Sequence, residues 1–373
     1  MALPVMPLGM NNYSRLLIVF FTLQTIILFG QDYKDYTSLK KALKKKEKVY
    51  FLHLDSKEID SIPPTIADLK NVAYFYLSFN KLEELPNEIG KLKILKRFTV
   101  HYNKLYSLPE SIGELRELEW FQADENRLSI IPKEIGNLTK LTHLTLGGNK
   151  LDCLPNTIGR LINLDFLELR DNNLKDLPPE IGQLRNLEFL SLDSNKITSL
   201  PITISGLEKL KTLNIKDNKL TGLPNEIADL KNLTHLTLDG NSLTRIPEFN
   251  TSNSIQWLTA SRNDLNNLSF ITNLKGTTHL ELGSNRIKFV PPEIANMKSL
   301  RNLVLNDNEI TSIPNELSNM HSIEVIDLKN NQITEIPDEF KNLEKLQYLG
   351  LKGNPIKDIG AIRRLLPNTT VDY

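Results

Sequence analysis

The chain has 373 residues, of which 40% are hydrophobic and 24% charged. This balance supports a packed core and excludes a globally disordered protein. Its 45 basic and 45 acidic residues cancel, so no positive surplus is available to bind a nucleic-acid backbone. The single cysteine, Cys153, excludes an internal disulfide framework. Six histidines without ligand spacing argue against a catalytic metal.

The first 30 residues differ from the rest of the chain. Arg15 is their only charged residue, and the apolar run 16–28 follows it. This run is shorter than the about 20 residues that a membrane span needs. A basic flank, an apolar run and small Gly30 predict a signal peptide over residues 1–30. Leu28 makes a poor cleavage site, so the alternative is an uncleaved membrane anchor. We therefore expect a secreted or cell-surface protein, which meets a membrane only if this segment is retained.

From residue 49 onward the sequence repeats itself every 22 or 23 residues. The 14 repeats begin at Val49, Val72, Leu95, Leu118, Leu141, Leu164, Leu187, Leu210, Leu233, Ile255, Thr277, Leu300, Ile323 and Leu346. The ninth position is Asn in 13 of the 14, and the first repeat has Lys57 there. A fixed period of this length is the signature of a solenoid.

Each part of the repeat has a physical role. Its Leu-x-Leu segment predicts a short strand with the Leu pair pointing inward. An inward Asn can satisfy backbone groups left open where the chain turns. One repeat cannot bury its apolar wedge alone, whereas stacked repeats share a core. We therefore predict an α/β fold: a leucine-rich repeat solenoid of about 14 repeats, with a parallel concave sheet and helical caps.

Both ends of the repeat array, which covers residues 49–354, are predicted to be capped. In the N-terminal capping segment, residues 31–48, Thr37 or Ser38 could N-cap a short helix. The C-terminal cap, residues 355–373, contains a predicted helix at 361–366.

The capping helix before the first repeat is expected to pack Leu39, Ala42 and Leu43 inward. The repeat pattern is weakest around residues 248–278, where the usual return segment is replaced. We predict a local change of curvature there and no domain boundary.

The unit Leu-Pro-x-Glu-Ile-Gly-x-Leu, as in residues 85–94 and 177–186, resembles the secreted leucine-rich repeat proteins of pathogenic spirochaetes. The resemblance covers residues 49–373 and implies a role in host interaction. Internalin-type proteins are a more distant likeness, and they grip host adhesion receptors of the cadherin kind with the concave face. The resemblance therefore implies a host cell-surface protein as partner. It is weak for the ligand, because repeat proteins share a scaffold and not a partner.

Positions 3, 5, 7 and 8 of each repeat are predicted to face the concavity, and position 3 holds seven Phe, Tyr and Trp residues. A stripe of exposed rings indicates a protein-binding surface. The alternative is that the rings only stack on each other across strands. The predicted partner-binding residues are Phe51, Tyr74, Tyr76, Arg97, Tyr102, Trp120, His143, Phe166, Phe189 and Trp257. We expect the group around Trp120 to be the main contact and Trp257 to mark a second one.

These four columns carry eleven acidic and six basic residues. An acidic face disfavours nucleic acid and favours a basic or calcium-bearing partner. Within it, Arg170, Asp193, Lys216 and Asp239 alternate in sign and predict an ion-pair ladder.

The sequence contains no catalytic motif and no calcium-loop spacing, so we predict no enzyme activity, no small-molecule substrate, no metal site and no cofactor. The leading function is a secreted module that binds a host surface protein. The alternative is an envelope-associated structural or scaffolding protein of the bacterium.

Overall fold

The computed structural model describes residues 34–373. The predicted signal peptide or anchor, residues 1–30, lies outside this range. Sixteen strands form one parallel sheet in which the strands follow chain order. The predicted solenoid with a parallel sheet is therefore confirmed.

Most strands are three residues long and begin at position 3 of their repeat. The strands are β1 (Lys34–Tyr36), β2 (Val49–His53), β3 (Tyr74–Tyr76), β4 (Arg97–Thr99), β5 (Trp120–Gln122), β6 (His143–Thr145), β7 (Phe166–Glu168), β8 (Phe189–Ser191), β9 (Thr212–Asn214), β10 (His235–Thr237), β11 (Trp257–Thr259), β12 (His279–Glu281), β13 (Asn302–Val304), β14 (Val325–Asp327), β15 (Tyr348–Gly350) and β16 (Thr370–Asp372). Neighbouring repeats pair without stagger, as in Trp120 opposite His143. Each repeat position therefore forms a straight column across the sheet.

In β3–β15 the middle residue of each strand points into the core, and in the longer β2 the buried residues are Val49 and Leu52. Phe75, Phe98 and Phe121 occupy this position in consecutive repeats and are fully buried. Their ring centroids lie 5.5 and 5.7 Å apart. The first residue of these strands is partly exposed, as the period of two requires, and the third is partly exposed in β3 and β5 but buried at Thr99 in β4.

The ninth-position Asn joins each repeat to the one before it. Asn126 Nδ2 donates to the carbonyls of Val100 (3.0 Å) and Ala123 (3.1 Å). Its Oδ1 accepts the backbone N–H of Leu105 at 3.0 Å. The same set recurs from Asn80 to Asn354. The predicted role of this residue is confirmed, because one buried amide satisfies three backbone groups.

The chain returns along the opposite side of the solenoid in short 3₁₀ helices. They are η1 (Lys46–Lys48), η2 (Pro64–Asp68), η3 (Asn87–Lys91), η4 (Glu110–Glu114), η5 (Lys133–Asn137), η6 (Asn156–Arg160), η7 (Pro179–Gln183), η8 (Ile202–Gly206), η9 (Asn225–Asp229), η10 (Ser269–Asn273), η11 (Pro292–Asn296), η12 (Asn315–Asn319) and η13 (Asp338–Asn342). A Cβ atom at Gly113 would lie 2.4 Å from the carbonyl oxygen of Glu134. Glycine after the buried Ile therefore lets successive helices stack closely.

The irregular region lacks a 3₁₀ helix between β10 and β11. Phe249 is buried there, and Asn250 Nδ2 donates to the carbonyl of Ala228 at 2.9 Å. Thr277 stands where other repeats begin with Leu, and its buried hydroxyl donates to the Ile255 carbonyl at 2.9 Å. Strands β10 and β11 still pair in register. The sheet is therefore continuous here, while the change of curvature stays a prediction.

The caps contain two α-helices, α1 (Leu39–Leu43) and α2 (Ile359–Leu365). Ala42 is buried in α1 and Ser38 occupies its N-cap position, both as expected; the Ser38 carbonyl accepts the N–H of Ala42, whereas the Ser38 side chain makes no capping bond. Strands β1 and β16 extend the sheet beyond the repeats and were not predicted. Within residues 34–373, no helix has the length and apolar character to cross a bilayer.

Candidate functional site

Five of the predicted residues form one continuous stack across β4–β8. This central stack comprises Arg97, Trp120, His143, Phe166 and Phe189. The Arg97 guanidinium lies 4.2 Å from the Trp120 ring centroid. The successive centroid distances are 3.9 Å from Trp120 to His143, 5.7 Å to Phe166 and 4.4 Å to Phe189. Strand spacing of about 4.8 Å places unstaggered rings at stacking distance.

The rings of the central stack are nearly parallel, and Phe166 and Phe189 differ by only 3°. Each inner ring therefore has both faces covered by its neighbours. All of these side chains are half-buried, so ring edges form the accessible surface. The indole Nε1 of Trp120 is buried and has no hydrogen-bond partner among residues 34–373. The rings therefore stack on each other across strands and remain partly exposed, while protein binding by this surface stays a prediction.

Burial holds His143 in the neutral state, and a local network orients its ring. Its Nδ1 lies 2.9 Å from Thr142 Oγ1 and 3.3 Å from Asp165 Oδ1. The Thr142 hydroxyl donates to the Glu119 carbonyl, so it accepts from Nδ1, and this assigns the ring proton to Nδ1. Burial, together with the nearby charge of Arg97, lowers the pKa of His143 to about 4. His143 is therefore uncharged near neutral pH.

Carboxylates line one margin of the central stack at position 2. Glu119 pairs with Lys96 at 3.2 Å, and Glu188 pairs with Lys211 at 2.7 Å. Asp165 lies between them and makes no ion pair with a Lys or Arg in the part of the chain described. Burial raises the pKa of Asp165 to about 6, and the charge of Glu188 adds to this effect. Asp165 is thus an unneutralised carboxylate beside the rings at pH 7.

The N-terminal rings adjoin the central stack, because Tyr74 lies directly opposite Arg97 and the Tyr76 side chain bonds to Arg97. Phe51 stacks on Tyr74 at 4.9 Å, and Tyr76 stacks on His53 at 4.5 Å. These rings lie near the N-terminal end of the sheet, on β2 and β3.

Trp257 belongs to a second aromatic group, on β10–β12. It stacks on His279 at 4.0 Å, with His235 on its other side at 6.5 Å. Both histidines bond to the preceding Thr in the same way as His143. The second contact expected around Trp257 is therefore an aromatic triad, five or more strands from Trp120.

Tyr102 stacks on Phe79 with centroids 4.7 Å apart. Both rings are well exposed, at 50% and 44%. Both residues occupy position 8, which has a left-handed backbone in every repeat, with φ of 52° at Tyr102 and 56° at Phe79. Gly, Asp, Asn and Ser, which tolerate this conformation, fill the position in most other repeats. The two adjacent aromatic residues at position 8 were the sequence signal by which Phe79 could have been included with Tyr102 among the partner-binding residues.

The predicted ion-pair ladder is wrong. No ion pair in residues 34–373 joins two members of that column; Arg170 instead bonds to Glu168. Asp193 accepts the backbone N–H of Lys216 at 2.9 Å, and Asp239 accepts that of Ser261 at 2.7 Å. A carboxylate at position 7 thus satisfies a donor of the next repeat, which explains its frequency without invoking a ligand.

No group of three or more His, Cys, Asp or Glu side chains in residues 34–373 could hold a metal ion. Cys153 is free and exposed.

Family models match most of the chain. The model described as leucine-rich repeat region matches residues 64–152, 129–197, 149–260 and 180–289, and the model described as leucine rich repeat matches residues 298–356. Among proteins with curated descriptions, none matches the sequence significantly.

Solved structures give the same result. A leucine-rich repeat protein of Leptospira interrogans is 33% identical over 91% of this chain and all of its own, with a TM-score of 0.69. The plant peptide hormone receptor RGFR1 in complex with RGF2 is 27% identical over 86% of this chain and 62% of its own, with a TM-score of 0.64. A domain of InlJ from Listeria monocytogenes shares the fold at 20% identity, covering 85% and 66% of the two chains, with a TM-score of 0.71. This chain therefore belongs to the leucine-rich repeat family.

Proposed function

We propose that this protein is an exported protein-binding module whose central stack contacts a host cell-surface protein. The proposed partner is of the adhesion-receptor class, cadherins being the kind that the internalin likeness suggests. The observation that carries the proposal is the half-exposed row of rings on the concave sheet.

The fold itself does not require rings at position 3. Thr212 on β9 and Asn302 on β13 occupy the same column and pair in the same register. The rings of the central stack are therefore surplus to strand pairing. Stacked aromatic side chains lose little conformational freedom when a partner binds, and they are the commonest anchors of protein interfaces.

The similar structures support protein binding as the general role. RGFR1 was solved in complex with RGF2. Similarity to a Leptospira protein supports a bacterial setting, and the pattern of residues 1–30 supports export. No catalytic role is proposed.

The test is binding of residues 31–373 to a panel of human cell-surface ectodomains, measured by biolayer interferometry. The triple variant Trp120→Ala/Phe166→Ala/Phe189→Ala is expected to weaken a positive interaction at least about 100-fold, because three anchors are truncated together. The matched control is Thr212→Ala/Asn302→Ala/Val325→Ala, which alters the same column elsewhere. Circular dichroism checks that both variants fold. Full binding by the Trp120 triple variant would place the interface elsewhere on the solenoid.

The competing function is an envelope-associated scaffold held by an uncleaved N-terminal segment, which the poor cleavage signal at Leu28 favours. Fractionation with N-terminal sequencing separates the two. Protein in the medium that begins near Gln31 supports the binding module. Membrane-bound protein that begins at Met1 or Met10 supports the scaffold.

A further inference from the structure

The margins of the central stack are strongly acidic. In the four repeats that contain β5–β8, positions 2, 3, 5, 7 and 8 hold eight acidic residues and one basic residue, Arg170. The acidic residues are Glu119, Asp124, Glu125, Asp165, Glu168, Asp171, Glu188 and Asp193. Aromatic edges therefore form a floor between two acidic margins.

Most of these carboxylates already have partners within the fold. Glu119, Glu168 and Glu188 pair with Lys96, Arg170 and Lys211. Asp171 also lies near Arg170, at 3.8 Å.

Two more of the acids bond to the backbone. Asp124 and Asp193 accept the N–H groups of Gly147 and Lys216. Asp165 and Glu125 make no ion pair with a Lys or Arg in residues 34–373; the near neighbour of Asp165 is His143, whose ring is neutral. These two carboxylates without a cationic partner lie on opposite margins of the stack, at positions 2 and 8.

We propose that this surface binds a basic, extended segment of the partner protein. A Lys or Arg side chain of that segment pairs with Asp165, and an apolar side chain lies across the edges of Phe166 and Phe189. The inference rests on the proposed protein-binding function and specifies the chemistry of its partner.

The geometry selects against other ligand classes. The stacked neighbours cover the ring faces of His143 and Phe166, so a sugar ring or a nucleobase cannot stack on them. Acidic margins repel phosphate. The three strand spacings from β5 to β8 span about 14 Å, which is the length of about four extended residues. A short segment with alternating basic and apolar side chains meets both the floor and the margins.

The C-terminal strands provide an internal contrast. In the three repeats that contain β13–β15, the same positions hold three acidic and three basic residues. Arg301 lies 3.6 Å from Glu324, and Lys329 lies 2.7 Å from Asp372. Charge that is paired within the fold leaves little attraction for a basic segment, so this region supplies the control substitution.

The test uses a fluorescein-labelled nine-residue peptide of alternating Arg and Leu, titrated with residues 31–373, which include every described residue. Fluorescence anisotropy is read at pH 7.5 in 50 mM and 300 mM salt. Peptides of alternating Glu and Leu and of alternating Arg and Ser serve as comparisons. We expect the Arg-Leu peptide to bind at least about tenfold more tightly than either, and more weakly at high salt.

Asp165→Asn keeps the shape of the side chain and removes its charge. It is expected to weaken Arg-Leu binding at least about fivefold, while Glu324→Gln at the equivalent position 2 changes it less than about twofold. Equal affinity for Arg-Leu and Glu-Leu peptides, or an unchanged affinity in Asp165→Asn, would overturn the inference. An ectodomain that binds the wild-type protein, fails to bind the Trp120 triple variant and resists displacement by the Arg-Leu peptide would support the proposed function and refute the inference. If the Arg-Leu peptide binds but no ectodomain does, the result supports a surface for basic segments and counts against the proposed binding of a host cell-surface protein.

Discussion

Strands β5–β8 and β13–β15 are built on the same scaffold and present different surfaces. Asn149 and Asn331, one in each region, make equivalent bonds to two carbonyls and one backbone N–H. At position 3, however, the first region has stacked rings, and the second has Asn302, Val325 and Tyr348.

The C-terminal ring is also used differently. The Tyr348 hydroxyl bonds to Asp372 at 3.1 Å, and Lys329 lies 5.3 Å from the Tyr348 ring centroid and bonds to the same carboxylate. Tyr348 therefore secures the last strand, whereas the rings of the central stack secure only each other. The core of this solenoid therefore does not determine which side chains its concave surface carries.

Substitution of two neighbouring residues of β7 tests whether the core and the concave surface contribute separately to stability. Leu167→Ala is expected to lower the free energy of unfolding by about 3–5 kcal/mol, because the side chain is fully buried. Phe166→Thr, which copies Thr212, is expected to lower it by only about 1–2 kcal/mol, mainly through lost ring stacking. Guanidinium unfolding followed by circular dichroism measures both. Equal losses would show that Phe166 belongs to the core.

A second test asks whether the two scaffolds are as equivalent as their bonds indicate. Asn149→Ala and Asn331→Ala each leave buried backbone groups without a partner, and each is expected to lose about 2–3 kcal/mol. The measurement is the same unfolding titration, with Asn163→Ala, an exposed Asn on the outer side, as control. A difference above about 1 kcal/mol between the two sites would contradict a common scaffold.

The pH dependence of stability distinguishes the central stack through His143. Its pKa is lowered to about 4 in the folded protein, so between pH 6.5 and 4 the unfolded chain binds a proton that the folded chain does not. Relative to His143→Phe, the wild-type protein should therefore lose about 2 kcal/mol of stability as the pH falls from 7.5 to 4.5.

Asp165 acts with the opposite sign, because its raised pKa of about 6 makes the fold less stable as the pH rises through that value. Asp165 is present in both proteins, so the difference between them reports on His143 together with its contact to Asp165. Urea unfolding at the two pH values provides the measurement. Parallel curves for the two proteins would mean that folding does not lower the pKa of His143.

The smallest expected effect concerns position 8. Phe79→Asn, which copies Asn330 of the C-terminal region, removes a ring from a left-handed residue and also removes its stacking on Tyr102. Relief of backbone strain and loss of stacking are each worth about 1 kcal/mol and oppose each other. The net change in the free energy of unfolding, measured by a thermal melt, is therefore expected to be below about 0.5 kcal/mol. A larger loss would show that Phe79 packs as part of the fold.

The repeat period was sufficient to predict the strands, the inward Leu residues and the role of Asn, because each depends only on position within a repeat and on the adjoining repeats. Strands β1 and β16 carry no repeat pattern. They form because β2 and β15 would otherwise leave open edges. Such pairing depends on a neighbour's geometry and is not encoded in three residues.

The site was predictable in part for the same reason. Straight columns placed Arg97, Trp120, His143, Phe166 and Phe189 in one row. Asp165, at position 2, was not predicted, because the orientation of that side chain depends on the turn before the strand. The position-7 aspartates were given ion-pair partners from charge alone, whereas the nearest unpaired donors are backbone N–H groups.

The bonds of each ninth-position Asn have a consequence for how such a gene can change. Asn126 reaches back only to Val100 and Leu105, both in the preceding repeat. Deleting or duplicating one 23-residue unit therefore gives every Asn an equivalent partner, and recombination between near-identical segments produces a chain that still folds. Each such event between the central stack and the Trp257 group shifts their separation by about 4.8 Å. The separation of two surface groups on a solenoid of this kind can thus change in steps of one repeat while the fold is kept.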